Sequence, residues 1–312
     1  MKQILPFVCP KSWSDAESWK HALQQAMPTE HIVLFDELNQ EDYLNCDVAI
    51  VANPDPKDLD KLPHLKWINS VWAGVEHMVA NHPKVPIVRL IDPELSHTMA
   101  EAVLAWTLYL HRDMPYYAAQ QKNHQWQPQT YIPAYEKTIA ILGLGELGTA
   151  SAQLLSAHGF RVSGWSHTLK TVPNVCCYTG DDGLQHMLAD ADIVISLLPL
   201  TPATTGLIND TIFAAFKANS SLINFSRGAI VHDLALRHAL DSRHLKHAVL
   251  DVFQLEPLPA DAWHWSHQHV TVLPHISAPT NPSTASKIVA QNIQAYRQNQ
   301  VIPESVDLQK GY

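Results

Sequence analysis

Three of the chain's 11 glycines fall in one hexapeptide, Gly143-Leu144-Gly145-Glu146-Leu147-Gly148, directly after the apolar run Thr138-Ile139-Ala140-Ile141-Leu142. The first glycine permits a tight turn, the second lets backbone approach a pyrophosphate, and the third lets the next helix pack close to the strand. In a strand–turn–helix context this spacing predicts dinucleotide binding, with Leu144, Glu146 and Leu147 completing the phosphate-facing turn. The end of the following strand should carry the ribose-recognising group, an acid for NAD or basic and polar residues for NADP. It reads Trp165-Ser166-His167-Thr168-Leu169-Lys170, without Asp or Glu. Ser166, His167, Thr168 and Lys170 together suit a 2′-phosphate, so NADPH is the preferred cofactor and NADH a possible one. The other reading of this segment is a solvent-facing polar loop with no part in the choice.

Four more segments end strands or begin loops on the same carboxyl edge, where open α/β sheets bind ligands. They are Leu198-Pro199-Leu200-Thr201-Pro202, Asn224-Phe225-Ser226-Arg227-Gly228, Asp251-Val252-Phe253-Gln254-Leu255-Glu256-Pro257 and Pro274-His275-Ile276-Ser277. In the first third of the chain, Trp72-Ala73-Gly74-Val75-Glu76-His77-Met78 follows the strand Leu65 to Ser70 as a strand-to-helix turn, which presents backbone N–H groups to an anion.

The elements that must position these residues alternate in type. His31 to Phe35 and Asp47 to Val51 read as strands, with Ser14 to Met27 as an amphipathic helix. From Lys137 the rhythm is regular: strands at 138–142, 161–165, 192–197, 221–225, 247–252 and 270–273, separated by helices or loops. Such alternation predicts parallel sheets. At 312 residues the chain should hold two domains, taking ~150 residues for each. One spans 1–97 plus 280–312, because a final helix from Ser283 to Gln298 returns to the first sheet. The other spans 98–279. Met99 to Gln121 reads as one long helix, apolar over more than one face. With the polar, proline-punctuated segment that follows, it forms a dimerisation helix and arm over 99–136.

The balance of 30 acidic against 21 basic residues, net −9, leaves no electrostatic footprint for nucleic acid or an anionic membrane. Apolar runs fall far short of the ~20 residues a membrane span needs. Met1 to Val8 reads as a first strand instead of a signal-peptide core. The four cysteines lack C-x-x-C spacing and fit reduced thiols in the cytoplasm. The 19 histidines form no metal-ligand motif, so no metal is expected.

With these motifs in view, the sequence resembles the D-2-hydroxyacid dehydrogenase family over essentially its whole length. The resemblance is carried by the glycine motif, LPLTPATTGLIN, INFSRGAIV, LDVFQLEPLP and VTVLPHI, in that order. Within the family it looks like the glyoxylate/hydroxypyruvate reductases, and HQWQPQ ahead of the glycine motif and a terminal GY point to their A subtype. The implied architecture is α/β: two doubly wound parallel-sheet domains, a flavodoxin-like substrate domain and a Rossmann cofactor domain, with a cleft between them. The helical stretch from Met99 to Gln121, apolar over more than one face, predicts a homodimer.

The resemblance implies a catalytic Arg, Glu and His, which fall on Arg227, Glu256 and His275. The chemistry of these types fits reduction of a 2-keto acid. A guanidinium holds the carboxylate and polarises the carbonyl, and an imidazolium donates a proton to the developing alkoxide. A carboxylate beside the ring orients it and stabilises its charged form. The resemblance also implies cofactor contacts at Thr98, Leu198, Pro199, Thr204, Ser226 and Asp251, the last by bonding the nicotinamide carboxamide; Asp251 reads equally as a cap on its loop. It implies substrate contacts at Trp72, Ala73, Gly74, Val75 and Arg227. Trp72 stands where the family motif often has a small residue, and either narrows the pocket toward short substrates or packs under the turn. The expected activity is NAD(P)H-dependent reduction of glyoxylate and hydroxypyruvate. The alternatives are a D-lactate- or phosphoglycerate-type dehydrogenase, or a dinucleotide-sensing binding protein or corepressor on the same fold.

Overall fold

The computed structural model describes residues 3–81, 84–308 and 310–311; the Tyr312 of the terminal GY pair and the first two residues of the expected first strand lie outside them. The chain divides into two compact units, Met1–Glu94 with Thr280–Tyr312, and Leu95–Pro279.

The first unit is built on a parallel sheet of β1 (Ile4–Val8), β2 (His31–Leu34), β3 (Val48–Val51), β4 (Trp67–Ser70) and β5 (Ile87–Val88), in the order β2-β1-β3-β4-β5. Strand residues alternate between faces, so Leu5, Phe7 and Ile50 join one apolar cluster and Val8, Ala49 and Val51 another. The helix Pro282–Asn299 covers the first face, where Tyr296 meets Trp67 edge-on at 5.4 Å. β5 is an addition to the expected strands, too short at two residues to show a periodic pattern.

The second unit holds a seven-stranded parallel sheet: β6 (Thr138–Leu142), β7 (Arg161–Trp165), β8 (Val175–Tyr178), β9 (Ile193–Ser196), β10 (Ser220–Asn224), β11 (Leu245–Leu250) and β12 (Val270–Val272). Their order, β12-β11-β10-β9-β6-β7-β8, reverses direction between β6 and β9. That reversal is the switch point at which doubly wound sheets open a crevice. The central strands β6, β9 and β10 are buried throughout, as expected of strands covered on both faces.

The helical stretch expected from Met99 to Gln121 is instead two helices, Pro93–His111 and Met114–Lys122. Asp113 separates them with a left-handed backbone (φ 55°), which no helix can propagate through. The first helix starts at Pro93, a residue suited to a first helical turn. The unit boundary therefore falls inside this helix and not ahead of it. β8 is also additional; its Val-Cys-Cys-Tyr sequence forms a partly exposed sheet edge without the apolar alternation that marks a strand.

Candidate active site

Strand register collects the candidate residues of the second unit. Leu142 pairs with Ser196, Ser196 with Asn224, Asn224 with Leu250 and Leu250 with Val272, so five strands end in one row. Gly143, Leu198, Arg227, Glu256 and His275 each lie within six residues beyond that row. A parallel sheet sends every such extension out of the same edge.

Two of the turn's glycines are required by sterics. Gly143 has φ 101°, and a Cβ there would sit 2.8 Å from the Leu197 carbonyl oxygen; a Cβ on Gly148 would lie 1.8 Å from the Gly143 oxygen. Gly145 differs, because no protein atom lies within 4 Å of where its Cβ would be. It is also the N-cap of the helix Glu146–Ala157 and provides no side-chain cap to the first amides. Open space over uncapped helical N–H groups fits a pyrophosphate. Leu144 is buried and packs under Gly164, while Glu146 is exposed and Leu147 half-buried.

Beyond β7, the loop 166–171 is mostly exposed. The Ser166 hydroxyl donates to the Thr168 carbonyl (2.8 Å), and Thr179 donates to the His167 carbonyl (2.8 Å). Gly143 N–H donates to the Trp165 carbonyl (2.8 Å), tying this strand end to the glycine turn. Leu198 is buried and Pro199 exposed; the Thr204 hydroxyl staples their loop by donating to the Pro199 carbonyl (2.6 Å). Thr98 lies half-buried on the helix Pro93–His111.

Arg227 follows a buried polar knot. The Ser226 hydroxyl donates to Asn224 Oδ1 (2.6 Å) and meets the Ser196 hydroxyl at 2.9 Å, while Asn224 Nδ2 donates to the Arg227 carbonyl (3.3 Å). Ser226 is 4% exposed, and its N–H also serves this knot by donating to Asn224 Oδ1 (3.2 Å). Arg227 itself is half-buried and donates from Nη1 to the Ser226 carbonyl (2.7 Å). The Gly228 position nearly touches the neighbouring loop: a Cβ there would fall 1.9 Å from the Phe253 carbonyl carbon. Asn224 and Gly228 thus position Arg227 against the Glu256 loop. Neither residue stands out as functional in the sequence, where the signals are a polar residue ending an apolar strand and a glycine directly after an arginine.

Glu256 accepts from the Phe253 N–H at Oε1 (2.8 Å) and pairs through Oε2 with His275 Nδ1 (2.8 Å). With Nδ1–H donated to the carboxylate, Nε2 is the ring atom left for proton transfer. The His275 backbone is left-handed (φ 55°), a conformation costing a non-glycine residue about 1–3 kcal/mol. Asp251, 2% exposed, holds it there: its carbonyl accepts from His275 N–H (2.9 Å), and its carboxylate accepts from Ile276 N–H (2.8 Å) and Ser277 N–H (2.9 Å). Of the two readings of Asp251, the loop cap describes what its carboxylate does here.

In the first unit, the turn Trp72–Val75 precedes the helix Glu76–Ala80. Ala73 and Gly74 are half-buried and Val75 buried. The Trp72 indole packs edge-on against Trp13 (5.6 Å) and Trp19 (5.3 Å), so it anchors the turn to an aromatic cluster. Among the described residues no His, Cys, Asp and Glu group is arranged to hold a metal, all four cysteines are free, and no helix is long and apolar enough to cross a membrane.

The family model for the NAD-binding domain of D-isomer specific 2-hydroxyacid dehydrogenases matches residues 104–277. A glyoxylate/hydroxypyruvate reductase A from Yersinia enterocolitica is 36% identical over 306 residues, covering 96% of this chain and 97% of that one. Among solved structures, a D-isomer specific 2-hydroxyacid dehydrogenase from Xanthobacter autotrophicus Py2 in complex with NADPH and MES superposes with a TM-score of 0.93 at 35% identity, covering 100% of both chains. An NADPH-dependent glyoxylate/hydroxypyruvate reductase from Sinorhizobium meliloti, in complex with NADP and sulfate, gives 0.91 at 32% identity, again over 100% of both. By the matched domain, the whole-length identity and the two-sheet architecture, the chain belongs to the D-isomer specific 2-hydroxyacid dehydrogenase family.

Proposed function

We propose that the protein reduces small 2-keto acids, glyoxylate and hydroxypyruvate first, to the corresponding 2-hydroxy acids with NADPH in preference to NADH. The observation that carries this reading is the Glu256–His275 pair, 2.8 Å apart on loops that leave the sheet edge bearing the glycine turn. The bound dinucleotide supplies the hydride. Arg227 holds the substrate carboxylate and polarises the keto oxygen through its planar fork of donors. His275 delivers the proton to the forming alkoxide, and Glu256 keeps the ring in the tautomer that can do so. The turn Ala73-Gly74-Val75 offers backbone N–H groups to the same class of anion.

The named relatives support glyoxylate and hydroxypyruvate as substrates, and NADPH in one related structure and NADP in another support the cofactor preference. We further propose a cytoplasmic homodimer. Trp126 is 97% exposed, with Tyr131, Ile132 and Tyr135 exposed on the same arm and Met114 on the helix before it, an apolar surface suited to a second copy.

Loss of nicotinamide absorbance, followed with glyoxylate, hydroxypyruvate and pyruvate against NADPH and NADH in parallel, tests the reading. Turnover of the first two acids with NADPH is expected. Silence with every pair from a protein that still binds dinucleotide would overturn it in favour of a sensing role.

A further inference from the structure

Glu256 sits on a loop that leaves β11 and turns back through the short helix Trp263–Trp265. Where this loop faces the helix Asp233–Asp241 it borders a cavity of about 430 Å³, lined in part by Val231, Leu236, Phe253, Leu258, Trp263 and His264. Groups that face a void lose the dispersion contacts they would make across a packed interface, so directed contacts must set where the loop lies. They converge on Asp233. Its Oδ2 accepts from the Trp263 indole N–H (2.8 Å) and its Oδ1 from His264 Nε2 (2.7 Å). The Arg237 guanidinium, one turn along the same helix, lies over the Trp263 ring (5.7 Å). The loop is also closed on itself, because the Pro259 carbonyl accepts from Ala262 N–H (3.0 Å) and from the Trp265 indole N–H (2.9 Å).

His264 carries this anchorage to Glu256. Its ring is buried, stacked on Trp263 (4.0 Å between centroids) and met edge-on by Phe253 (5.3 Å). Among the described residues Nδ1 has no hydrogen-bond partner, so the bond to Asp233 is what orients the ring. Burial, helped by the charge of His267, holds the ring below the ordinary imidazole range although Asp233 pulls the other way, and the neutral ring donates from Nε2. Phe253 is gripped twice: Gly228 presses on its backbone and the His264 ring meets its side chain. Its N–H in turn donates to Glu256 Oε1 (2.8 Å), the carboxylate oxygen that His275 does not engage.

We propose that His264, held by Asp233, is a positioning residue for the proton-transfer pair: acting through Phe253, it places the Glu256 carboxylate where that group orients His275. The inference rests on the reductase reading above and adds to it two residues that act at a remove from the reacting atoms. A residue that acts only through Glu256 has two signatures. It changes kcat while the KM of the 2-keto acid stays put, since Arg227 and the turn amides bind that acid. Its effect also vanishes once the Glu256 carboxylate is gone.

The test is a double-mutant cycle on glyoxylate reduction with NADPH, using His264→Leu, Asp233→Asn, Glu256→Gln and the two double variants that contain Glu256→Gln, with a melting temperature for each. His264→Leu and Asp233→Asn should each lower kcat about 5-fold, less than the ~10-fold of Glu256→Gln, with KM and the dissociation constant for NADPH within about 2-fold of wild type. In the Glu256→Gln background either change should cost no more than about 2-fold further. His264→Gln, whose amide nitrogen reaches where Nε2 stands, should return kcat to within about 2-fold of wild type. Wild-type kcat in both single variants, or losses that multiply in the doubles, would overturn the role of His264. Should His264→Leu fail to fold, Asp233→Asn carries the same comparison. Unchanged turnover in Glu256→Gln would instead overturn the Glu256–His275 pair, and this inference with it.

Discussion

Asp251 grips His275 by three hydrogen bonds in a row: its carbonyl takes the His275 amide, and its buried carboxylate takes those of Ile276 and Ser277. The grip compensates a left-handed backbone at a β-sheet exit and aims the imidazole at Glu256. Strain of this kind persists only where the surroundings over-determine it.

Asp251→Ala removes both carboxylate acceptors and leaves two inward amides unmatched. We expect a loss of about 2–4 kcal/mol of stability from the desolvated donors, and at least ~10-fold lower turnover from the misplaced imidazole. Dinucleotide affinity should change little. Chemical denaturation, turnover and cofactor titration separate the two readings of this residue: loss of cofactor affinity with turnover preserved would assign Asp251 to the nicotinamide instead of the loop.

His275→Ala should lower turnover at least ~100-fold, the usual scale of acid–base catalysis, while the dissociation constant for NADPH stays put. Glu256→Gln keeps the shape and one acceptor oxygen but removes the carboxylate charge, so a smaller loss, about 10-fold, is expected. Steady-state kinetics beside fluorescence titration of the cofactor provide the check. Equal turnover in the His275 variant and the wild type would exclude the proton-transfer role.

Two glycines three residues apart should respond differently to the same substitution. Gly145→Ala meets no protein atom within 4 Å, so the variant should fold with wild-type stability and lose dinucleotide affinity about 10-fold or more. Gly148→Ala drives a methyl against the Gly143 carbonyl and should fail at the folding stage, seen as a lowered melting temperature without ligand. Unchanged affinity in Gly145→Ala would mean that the pyrophosphate lies elsewhere.

Acid should unfold the second unit partly through His247. Burial, reinforced by the charges of His269, His267 and Lys246, pushes this imidazole down from 6.5 to about 4, and its Nε2 meets the Thr271 hydroxyl at 2.9 Å. A folded-state value below the unfolded one means that the unfolded chain binds the extra proton. The stability is complete above pH ~6.5 and is lost as pH falls toward 4, in total about 3 kcal/mol. Urea midpoints measured across that window should fall with acid, and His247→Gln should make the fall shallower. An identical acid slope in the variant would remove His247 from the account.

Much of the fold could be read from the chain before any coordinates. The strands Thr138–Leu142 and Arg161–Trp165 have the bounds expected of them; the first, buried on both faces, is written as a short apolar run between turn residues. The break at Asp113 was hidden because the apolar residues continue on both sides of it and a single left-handed residue leaves no periodic trace. β5 and β8 were missed because a two-residue strand and a half-exposed edge strand carry too few core contacts to impose a pattern.

The same division runs through the candidate site. The glycine turn was determined by the sequence itself, since the conformation Gly143 adopts and the contact Gly148 makes are settled within a few residues by backbone sterics. The inward hydroxyl of Ser226, the loop-capping carboxylate of Asp251 and the aromatic seat of Trp72 were decided only by tertiary structure. Each depends on a partner far along the chain: Ser196 for the first, Ile276 and Ser277 for the second, Trp13 and Trp19 for the third. Residue type establishes which hydrogen bonds a side chain can make, but a polar group has several acceptable partners, and the packing of whole strands and loops selects among them.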